Sequence, residues 1–342
     1  MPILEVLEPS VDASSGATHG MGHEPVMVQR ITELLAVPAG PAVIVDATVG
    51  AAGHAAALLA ASGEDVHLLG FDRDPDALTL ARRRLAAYGD RVHLVHAGYD
   101  ELAHHAASLV AAVGPVASVL YDLGVSSMQL DQAQRGFSFR ADAPLDMRMD
   151  PTRGQTAAEL VATADVAELT RILRLYGEER FAGRIAAAMV RSRPRTTLEL
   201  AAVVAAAVPA RMRHTTPHPA TRAFQALRIA VNAELDRFSA SLPQALELVE
   251  PLSDERRSGD LRPGRVAVLS YHSLEDRIAK RTFADAATGC VCPPDLPMCL
   301  CGRAPRVRLL TRGAERPTEA ETAANPRARS AKLRVAESLE DR

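Results

Sequence analysis

The sequence predicts an α/β fold with an inserted helical domain, and three observations support this prediction. Short apolar runs alternate with helical segments over residues 43–122. Three of these runs end in an aspartate. From about residue 126 to residue 250 helical patterns replace the strand pattern, and a further strand and helix follow. Because strands that alternate with helices form parallel βαβ units, the long helical stretch is best explained as an insertion.

The predicted strands of the first part are short and strongly apolar. They cover residues 43–46, 66–72, 92–96 and 116–122. Asp46, Asp72 and Asp122 each end one of these strands. Open parallel sheets bind ligands at the carboxyl ends of their strands, so we expect the three carboxylates to share one ligand-binding edge.

Helical signals fill the gaps between these strands. An alanine- and leucine-rich helix is predicted from about His54, and the next helix from Asp74 to about residue 87. Asp74 and Pro75 are typical N-cap and first-turn residues. We therefore predict that Asp74 caps its helix and that the neighbouring Asp72 is available to a ligand.

The remaining elements define the domain organisation. Five helices are predicted near residues 165–175, 178–191, 197–207, 220–238 and 242–250. They are followed by a strand at 266–270, a helix at 273–283 and closing strands at 306–311 and 331–336. Residues 1–20 have no periodic pattern and are predicted to be disordered. We expect one domain formed by residues 21–127 and 244–342, with residues 128–243 as the insertion.

Positive charge is concentrated in two segments of a nearly neutral chain. The 342 residues include 39 lysines and arginines and 42 acidic residues, which excludes a polyelectrolyte such as a histone-like tail. Residues 171–228 hold eleven arginines and three glutamates, and residues 302–334 hold nine basic residues and three glutamates. Arginine binds phosphate through planar, bidentate contacts, so this clustering favours a nucleic acid partner. Arg191, Arg193 and Arg195 are candidate contacts, although codon bias alone also enriches arginine over lysine.

Membrane and secretory segments are not predicted. The chain has no uninterrupted apolar run of about 18 residues, the length that indicates a transmembrane helix. Its N-terminus is acidic and lacks the basic region of a secretory signal. We therefore expect a cytoplasmic protein without a membrane partner.

The loop after the first strand indicates a small-molecule site. It reads Asp46-Ala-Thr-Val-Gly50-Ala-Ala-Gly53-His54. The dinucleotide fingerprint G-x-G-x-x-G is absent, and an acid at the strand end would repel a pyrophosphate. S-adenosylmethionine carries a sulfonium and an ammonium group and no phosphate, so it fits this acidic edge better than a dinucleotide does.

Two further residues fit an adenosine moiety. Asp72, at the tip of the second strand, is placed to accept hydrogen bonds from both ribose hydroxyls. The alternative is that it only caps the following helix. Tyr99, after the third strand, is placed to lie against the adenine, and the alternative is a core aromatic.

Several sequence blocks resemble the ribosomal RNA small subunit methyltransferase H family. The blocks are Asp122-Leu-Gly-Val-Ser-Ser-Met-Gln-Leu-Asp131, Arg135-Gly-Phe-Ser-Phe139, Pro144-Leu-Asp-Met-Arg-Met-Asp-Pro151, Tyr176-Gly-Glu-Glu-Arg-Phe-Ala-Gly-Arg-Ile185, His218-Pro-Ala-Thr-Arg-Ala-Phe-Gln225, Ser270-Tyr-His-Ser-Leu-Glu-Asp-Arg277 and Asn325-Pro-Arg-Ala-Arg-Ser-Ala-Lys-Leu-Arg334. They span roughly residues 23–336 in the family's order, and together they are far more specific than a lone glycine motif.

The resemblance implies both a fold and an activity. The fold is a seven-stranded class I (Rossmann-like) methyltransferase sheet, with the all-helical insertion as the substrate domain. The activity is transfer of a methyl group from S-adenosylmethionine to N4 of one cytosine in the decoding region of 16S rRNA. The implied partner is 16S rRNA, either within the 30S subunit or as free rRNA, and the oligomeric state stays open, with a homodimer as one alternative.

The resemblance also implies the residues that contact the cofactor. They are Ala52, Gly53, His54, Asp72, Tyr99, Asp122 and Gln129. The family usually has Gly-Gly-His where this chain has Ala52-Gly53-His54, so we expect the methyl group of Ala52 to narrow the loop, while Gly53 preserves binding. Many members have phenylalanine at the position of Tyr99, which is a mild change.

Catalysis by such an enzyme should depend mostly on positioning. The cytosine amine is a poor nucleophile because its lone pair is delocalised into the ring, so in-line alignment with the methyl group and hydrogen-bond acceptors for the amine matter most. Asp122 and His272 are the candidate catalytic residues. The alternative for His272 is a helix-start residue that bonds the backbone. Phe137 and Phe139 are candidates for a pocket around the flipped base, with core packing as the alternative.

All four cysteines of the chain lie in two close pairs. They are Cys290, Cys292, Cys299 and Cys301. Structural zinc sites more often use pairs separated by two to four residues, and a cytoplasmic protein disfavours disulfides. We therefore expect a loop with reduced thiols and no metal, with zinc as the alternative.

Two other functions compete with methyl transfer. A nicotinamide-dependent dehydrogenase uses a similar sheet, but the motifs above disfavour it. A ribosome-assembly factor would bind RNA and hold the cofactor only as a structural ligand. Methyl transfer to isolated 30S subunits distinguishes the enzyme from the assembly factor.

Overall fold

The computed structural model describes residues 25–210, 218–250, 262–293 and 298–339. The disorder expected for residues 1–20 concerns a segment outside the described residues. Seven strands form one sheet: β1 (Ala42–Asp46), β2 (Val66–Asp72), β3 (Val92–His96), β4 (Val116–Asp122), β5 (Arg265–Ser270), β6 (Val307–Leu309) and β7 (Lys332–Ser338). The bounds predicted for β2, β3 and β4 are confirmed, and β6 is shorter than expected.

The strand order places the acidic strand ends side by side. The order is β3-β2-β1-β4-β5-β7-β6, and β7 runs antiparallel to both of its neighbours. At the end of β1, Asp46 is paired with Gly70 of β2 and with Leu120 of β4. The chain runs from β1 outward to β2 and β3 and then crosses to β4 on the other side of β1. This change of direction creates the crevice where open α/β sheets bind ligands.

Helices cover both faces of the sheet. One face carries α1 (Val28–Leu35), α2 (Gly53–Ala60) and α3 (Pro75–Arg84), and the other carries α4 (Leu102–Ala112), α11 (Glu234–Leu248) and α12 (Ser273–Ala287). Side chains along a strand alternate between the two layers. Ile44 accordingly packs in the first core, whereas Val43 and Val45 pack in the second.

The insertion has a hydrophobic core of its own. Its helices are α5 (Ser127–Asp131), α6 (Ala157–Thr163), α7 (Val166–Gly177), α8 (Ala182–Ser192), α9 (Thr197–Ala207) and α10 (Ala220–Asn232). Leu145, Ile172, Met189 and Leu227 are among the buried residues of this core. The helices predicted near 165–175, 178–191 and 197–207 are therefore confirmed as α7, α8 and α9.

The C-terminal boundary of the insertion differs from the prediction. We expected helices at 220–238 and 242–250, with the boundary at residue 243. Helix α10 instead ends at Asn232, Ala233 interrupts the helix with φ 51°, and α11 continues through Pro243. Phe238 and Leu242 of α11 are buried in the sheet core, so the insertion ends near residue 233.

A short helix, α13 (Glu319–Ala324), precedes the last strand. Its Glu321 accepts a hydrogen bond from the backbone N–H of Met27, which ties the start of α1 to the C-terminal part of the chain. Within the described ranges, no helix is long and apolar enough to cross a membrane.

Candidate active site

Three carboxylates meet at the carboxyl edge of the sheet, as the sequence predicts. Asp46, Asp72 and Asp122 end β1, β2 and β4. Burial raises the pKa of Asp46 to about 7, and the nearby charges of Asp122 and Asp72 act in the same direction. Burial likewise raises the pKa of Asp72 to about 6 and raises the pKa of Asp122. A cationic ligand would relieve this crowding of negative charge, so the edge fits the sulfonium and ammonium groups of S-adenosylmethionine.

Asp72 is oriented by the glycine loop. Its two oxygens accept hydrogen bonds from the backbone N–H groups of Gly50 and Asp74, each at 2.8 Å. Gly50 has φ 51°, a conformation that glycine adopts without steric cost. Each carboxylate oxygen has a second acceptor position, so both remain able to accept a ribose hydroxyl.

Asp74 caps α3, as predicted. Its Oδ1 accepts from the N–H of Asp76 at 3.1 Å. Its Oδ2 accepts from the side chains of Gln129, at 3.1 Å, and Arg135, at 2.8 Å. The cap therefore also anchors the first residues of the insertion beside the ligand edge.

The start of α2 is set by Ala52 and Gly53. Ala52 is the N-cap with φ 60° and ψ 35°, and its side chain is fully buried in the apolar core. The methyl group therefore does not narrow the loop toward a ligand, and its cost is backbone strain instead. Gly53 is required for packing, since a Cβ there would lie 2.4 Å from Cγ of Pro25.

Asp122 lies at the centre of a polar group of side chains. Its Oδ1 accepts from the hydroxyl of Tyr271 at 2.9 Å, and its backbone N–H donates to Thr48 at 2.7 Å. Its Oδ2 lies 3.4 Å from Nδ1 of His54. The other nitrogen of His54 lies 2.9 Å from the carbonyl oxygen of Val26.

These contacts fix where protons can reside. A carbonyl oxygen only accepts, so Nε2 of His54 donates to Val26. An attractive contact between Nδ1 of His54 and Asp122 then requires one proton on either group. Burial and the charge of Asp122 raise the pKa of Tyr271 well above its ordinary value, so its hydroxyl remains a donor. The site thus places an imidazole and a fixed hydroxyl donor against the same carboxylate.

His272, the second candidate catalytic residue, makes helix-start contacts. It is the N-cap of α12, and its Nδ1 accepts from the N–H of Glu275 at 3.4 Å. Its Nε2 lies 3.1 Å from Oε1 of the same glutamate. The other carboxylate oxygen of Glu275 accepts from the N–H of Tyr271 at 2.9 Å. The structure therefore connects His272 to Asp122 only through the backbone that positions Tyr271.

Gln129 and Tyr99 border the edge from the two remaining sides. Gln129 forms a capping box with Ser126 at the start of α5, in addition to its bond to Asp74. Tyr99 is half-buried, and its hydroxyl donates to the carbonyl oxygen of Glu234 at 3.2 Å. Its ring packs edge-on against Tyr121, with 5.8 Å between centroids.

The candidate RNA contacts lie on the insertion, away from the acidic strand ends. Arg191, Arg193 and Arg195 are exposed at the end of α8 and in the turn that follows. Among the described residues, no ion pair involves any of the three side chains. Arg228 differs, because it is held by Glu234 through two bonds of 2.9 Å. The three exposed guanidinium groups are therefore accessible to a ligand, whereas Arg228 is structural.

The candidate pocket aromatics are core residues of the insertion. Phe137 is 8% exposed, and Phe139 packs against Phe224 and His218 with centroids 4.9 and 5.0 Å apart. Tyr271 and Thr48 are the site residues that sequence reasoning missed. The only available signal for Tyr271 was its position directly after a predicted strand, because the pairing of β4 with β5 is not visible in the sequence.

The four cysteines are gathered in one loop between α12 and β6. Their sulfur atoms all lie within 4.8 Å of one another, so the four side chains converge on a single point. This cluster is separate from the acidic edge of the sheet.

Comparisons with known proteins agree with this architecture. The profile of the MraW methylase family matches residues 20–339. A protein of Saccharopolyspora erythraea is 52% identical over 335 residues, which cover 96% of this chain and 97% of that protein. A protein of Thermobifida fusca is 53% identical over 321 residues, 92% of this chain and 93% of its own. Both are named "Ribosomal RNA small subunit methyltransferase H". The match includes the sheet, the acidic edge and the helical insertion, and the chain belongs to the MraW methylase family.

Proposed function

We propose that this methylase transfers a methyl group to the N4 amine of one cytosine in the decoding region of 16S rRNA. S-adenosylmethionine is the cofactor. The observation that carries the proposal is the partly buried acidic edge, Asp46, Asp72 and Asp122, beside an insertion with exposed arginines. The names of the relatives and the sequence blocks quoted above support the choice of rRNA.

Residues of this chain would hold the cofactor at several points. Asp72 would accept the ribose hydroxyls, and Tyr99 would pack against the adenine. Asp46 and the glycine loop would face the positively charged methionine part. When bound, the cofactor supplies an electrophilic methyl group on a sulfonium. The glycines of the loop from Gly50 to His54 would allow such a ligand to approach the backbone closely.

Asp122 is the residue best placed to act on the amine. Its carboxylate is fixed by Tyr271 and lies next to His54, so it can accept a hydrogen bond from the amine and orient the nitrogen lone pair. The methylated amine loses a proton after attack. Because burial raises the pKa of Asp122, this carboxylate accepts a proton more readily than an exposed aspartate does.

The insertion would bind the RNA backbone. Arginines bind phosphates in a sequence-independent manner, whereas the target base must leave its stack to reach the acidic edge. Arg191, Arg193 and Arg195 are the contacts we propose. Anchoring of Gln129 and Arg135 to Asp74 would couple the RNA-binding insertion to the cofactor edge.

The decisive experiment measures methyl transfer to RNA. Isolated 30S subunits and free 16S rRNA are each incubated with the protein and S-adenosylmethionine labelled on its methyl group. We expect label in the RNA, recovered as N4-methylcytidine from a single site. Asp122→Asn should abolish transfer, while Asp76→Asn, an exposed residue of α3, should not. Tight cofactor binding without label in either RNA would contradict the proposed methyl transfer and would favour the hypothesis of a ribosome-assembly factor.

A further inference from the structure

The four cysteines form a compact cluster of sulfur atoms. The Sγ atoms of Cys290 and Cys299 are 3.3 Å apart, those of Cys299 and Cys301 are 3.6 Å apart, and those of Cys301 and Cys290 are 3.7 Å apart. Cys292 completes the group, and all four sulfurs lie within 4.8 Å of one another. A disulfide needs a sulfur–sulfur distance of about 2.05 Å, so these thiols are not paired in that way.

These three distances are near the spacing of a tetrahedral metal site. Zinc–thiolate bonds of about 2.3 Å place the sulfurs of a tetrahedral site about 3.8 Å apart. Disulfides would bring the cysteines together in separate pairs, whereas here each sulfur lies within 4.8 Å of the other three. We propose that Cys290, Cys292, Cys299 and Cys301 bind one zinc ion as four thiolates. Zinc is the alternative that the sequence left open for this loop.

The backbone explains how this unusual spacing can form a metal site. The N–H of Val291, between the first two cysteines, is within hydrogen-bonding reach of the sulfur of Cys301. The N–H of Leu300, between the second two, is within reach of the sulfur of Cys292. The two Cys-x-Cys segments therefore face each other in a reciprocal manner. Such N–H groups stabilise the negative charge of thiolates.

The site is structural rather than catalytic. Four cysteine ligands leave no open position on the metal. Helix α12 begins at the acidic edge and has 15 residues, so its far end, from which the cysteine loop continues, is about 20 Å away. Arg303 donates to the backbone carbonyl of Asp285, and the N–H of Arg306 donates to Ala286, which fixes the loop to the end of α12.

The loop has few apolar contacts that could replace a metal. Val291, Met298 and Leu300 are 56%, 72% and 76% exposed. Short segments without a hydrophobic core are often stabilised by a bound metal. We infer that zinc fixes the connection between α12 and the edge strand β6.

The test uses the full-length protein purified under reducing conditions without chelator. Metal analysis is expected to give one zinc per chain. After chelation and reconstitution with cobalt, the protein should show the intense visible absorption of a tetrahedral cobalt thiolate. Cys292→Ser should lower zinc content at least tenfold, whereas Met298→Ser, in the same loop but without a thiol, should leave it unchanged. Absence of stoichiometric zinc and of the cobalt spectrum in the wild-type protein would overturn the proposal.

A second measurement covers the case in which Cys292→Ser does not fold. Alkylation of the native wild-type protein, read by mass spectrometry, is expected to leave all four cysteines unmodified with zinc and to label them after chelation. Equal labelling with and without zinc would count against the site. Cofactor affinity should change less than twofold on chelation, and a larger loss would refute the structural role.

Discussion

Asp72 combines two tasks in a single side chain. It receives the N–H groups of Gly50 and Asp74, so it orders the glycine loop, and it remains able to accept from a ligand. The sequence leaves two interpretations of Asp72, a ribose acceptor and a helix cap. The contacts of the neighbouring Asp74 bear on this choice. Because Asp74 is the cap, Asp72 is not needed for that task, and its role as a ribose acceptor stays our proposal.

Asp72→Ala should weaken binding of S-adenosylmethionine at least tenfold. The charge-assisted hydrogen bonds that it removes are worth about 1.5–3 kcal/mol, which corresponds to roughly tenfold or more in affinity. Calorimetric titration of the folded variant measures the effect. Asp76→Ala removes an exposed acid from the same helix and serves as the control. Unchanged affinity of a folded Asp72→Ala protein would reduce this residue to a loop-ordering role.

Asp46 should make stability of the cofactor-free protein depend on pH. Its pKa is about 7 in the folded state, whereas an unfolded aspartate titrates near about 3.9. The folded state therefore binds the proton more tightly, and the free energy of unfolding falls as pH rises between these values. Asp46→Asn keeps the acceptor for the N–H of Thr48 and removes the charge.

Urea unfolding of the cofactor-free protein tests this prediction. Asp46→Asn should raise the free energy of unfolding at pH 8 by up to about 4 kcal/mol. The gain should shrink as pH falls and vanish below about pH 4. The same variant should bind S-adenosylmethionine more weakly, because it removes an acid that faces the cation. A gain that is independent of pH would show that desolvation of the carboxylate is not its cause.

At the scale of elements, the junction of α10 and α11 links the insertion to the sheet. Ala233 separates the two helices, and the ion pair of Arg228 with Glu234 spans this break. Both side chains are mostly buried, with 14% and 7% of their surface exposed. The carbonyl oxygen of Glu234 also holds the hydroxyl of Tyr99, so the junction contacts the candidate adenine site.

Glu234→Gln should destabilise the protein by about 3 kcal/mol, because the buried Arg228 loses its hydrogen-bonded counter-ion and keeps only the charge of Glu275 nearby. The matched control is Glu178→Gln, whose partner Arg277 is about half exposed, and which should cost less than about 1 kcal/mol. Denaturant unfolding compares the two variants. Equal small effects would mean that water reaches the guanidinium of Arg228.

At the scale of the whole molecule, the sequence predicted what local patterns encode. Strand bounds and the acidic edge follow from apolar runs that end in aspartate. The placement of α11 cannot be predicted in this way, because periodicity reveals that the helix has an apolar face but not which surface this face covers. Tyr271 and Asp122 are 149 residues apart, and their contact depends on the pairing of β4 with β5. The sequence names the four cysteines and leaves zinc as an alternative, but the spacing alone does not show that the two pairs face each other.

The proposed RNA binding would be a property of the whole molecule, since the insertion supplies positive charge to a chain with net charge −3. Replacing Arg191, Arg193 and Arg195 by glutamine should weaken binding to 30S subunits and lower the slope of log affinity against log salt. The expected decrease is about 0.7–0.9 for each phosphate that is no longer neutralised. Among the described residues these side chains have no ion-pair partner, so the substitutions should leave the fold and cofactor affinity unchanged.

The control for this prediction removes the same charge elsewhere. Arg82, Arg83 and Arg84 are exposed in the last turn of α3, on the sheet domain. Their replacement by glutamine changes net charge equally but should alter the salt slope little, because a position outside the interface adds only long-range attraction. Filter binding at several salt concentrations compares the two triple variants. Equal slopes for both would mean that clustering reflects codon usage and that general charge, rather than this surface, attracts the RNA.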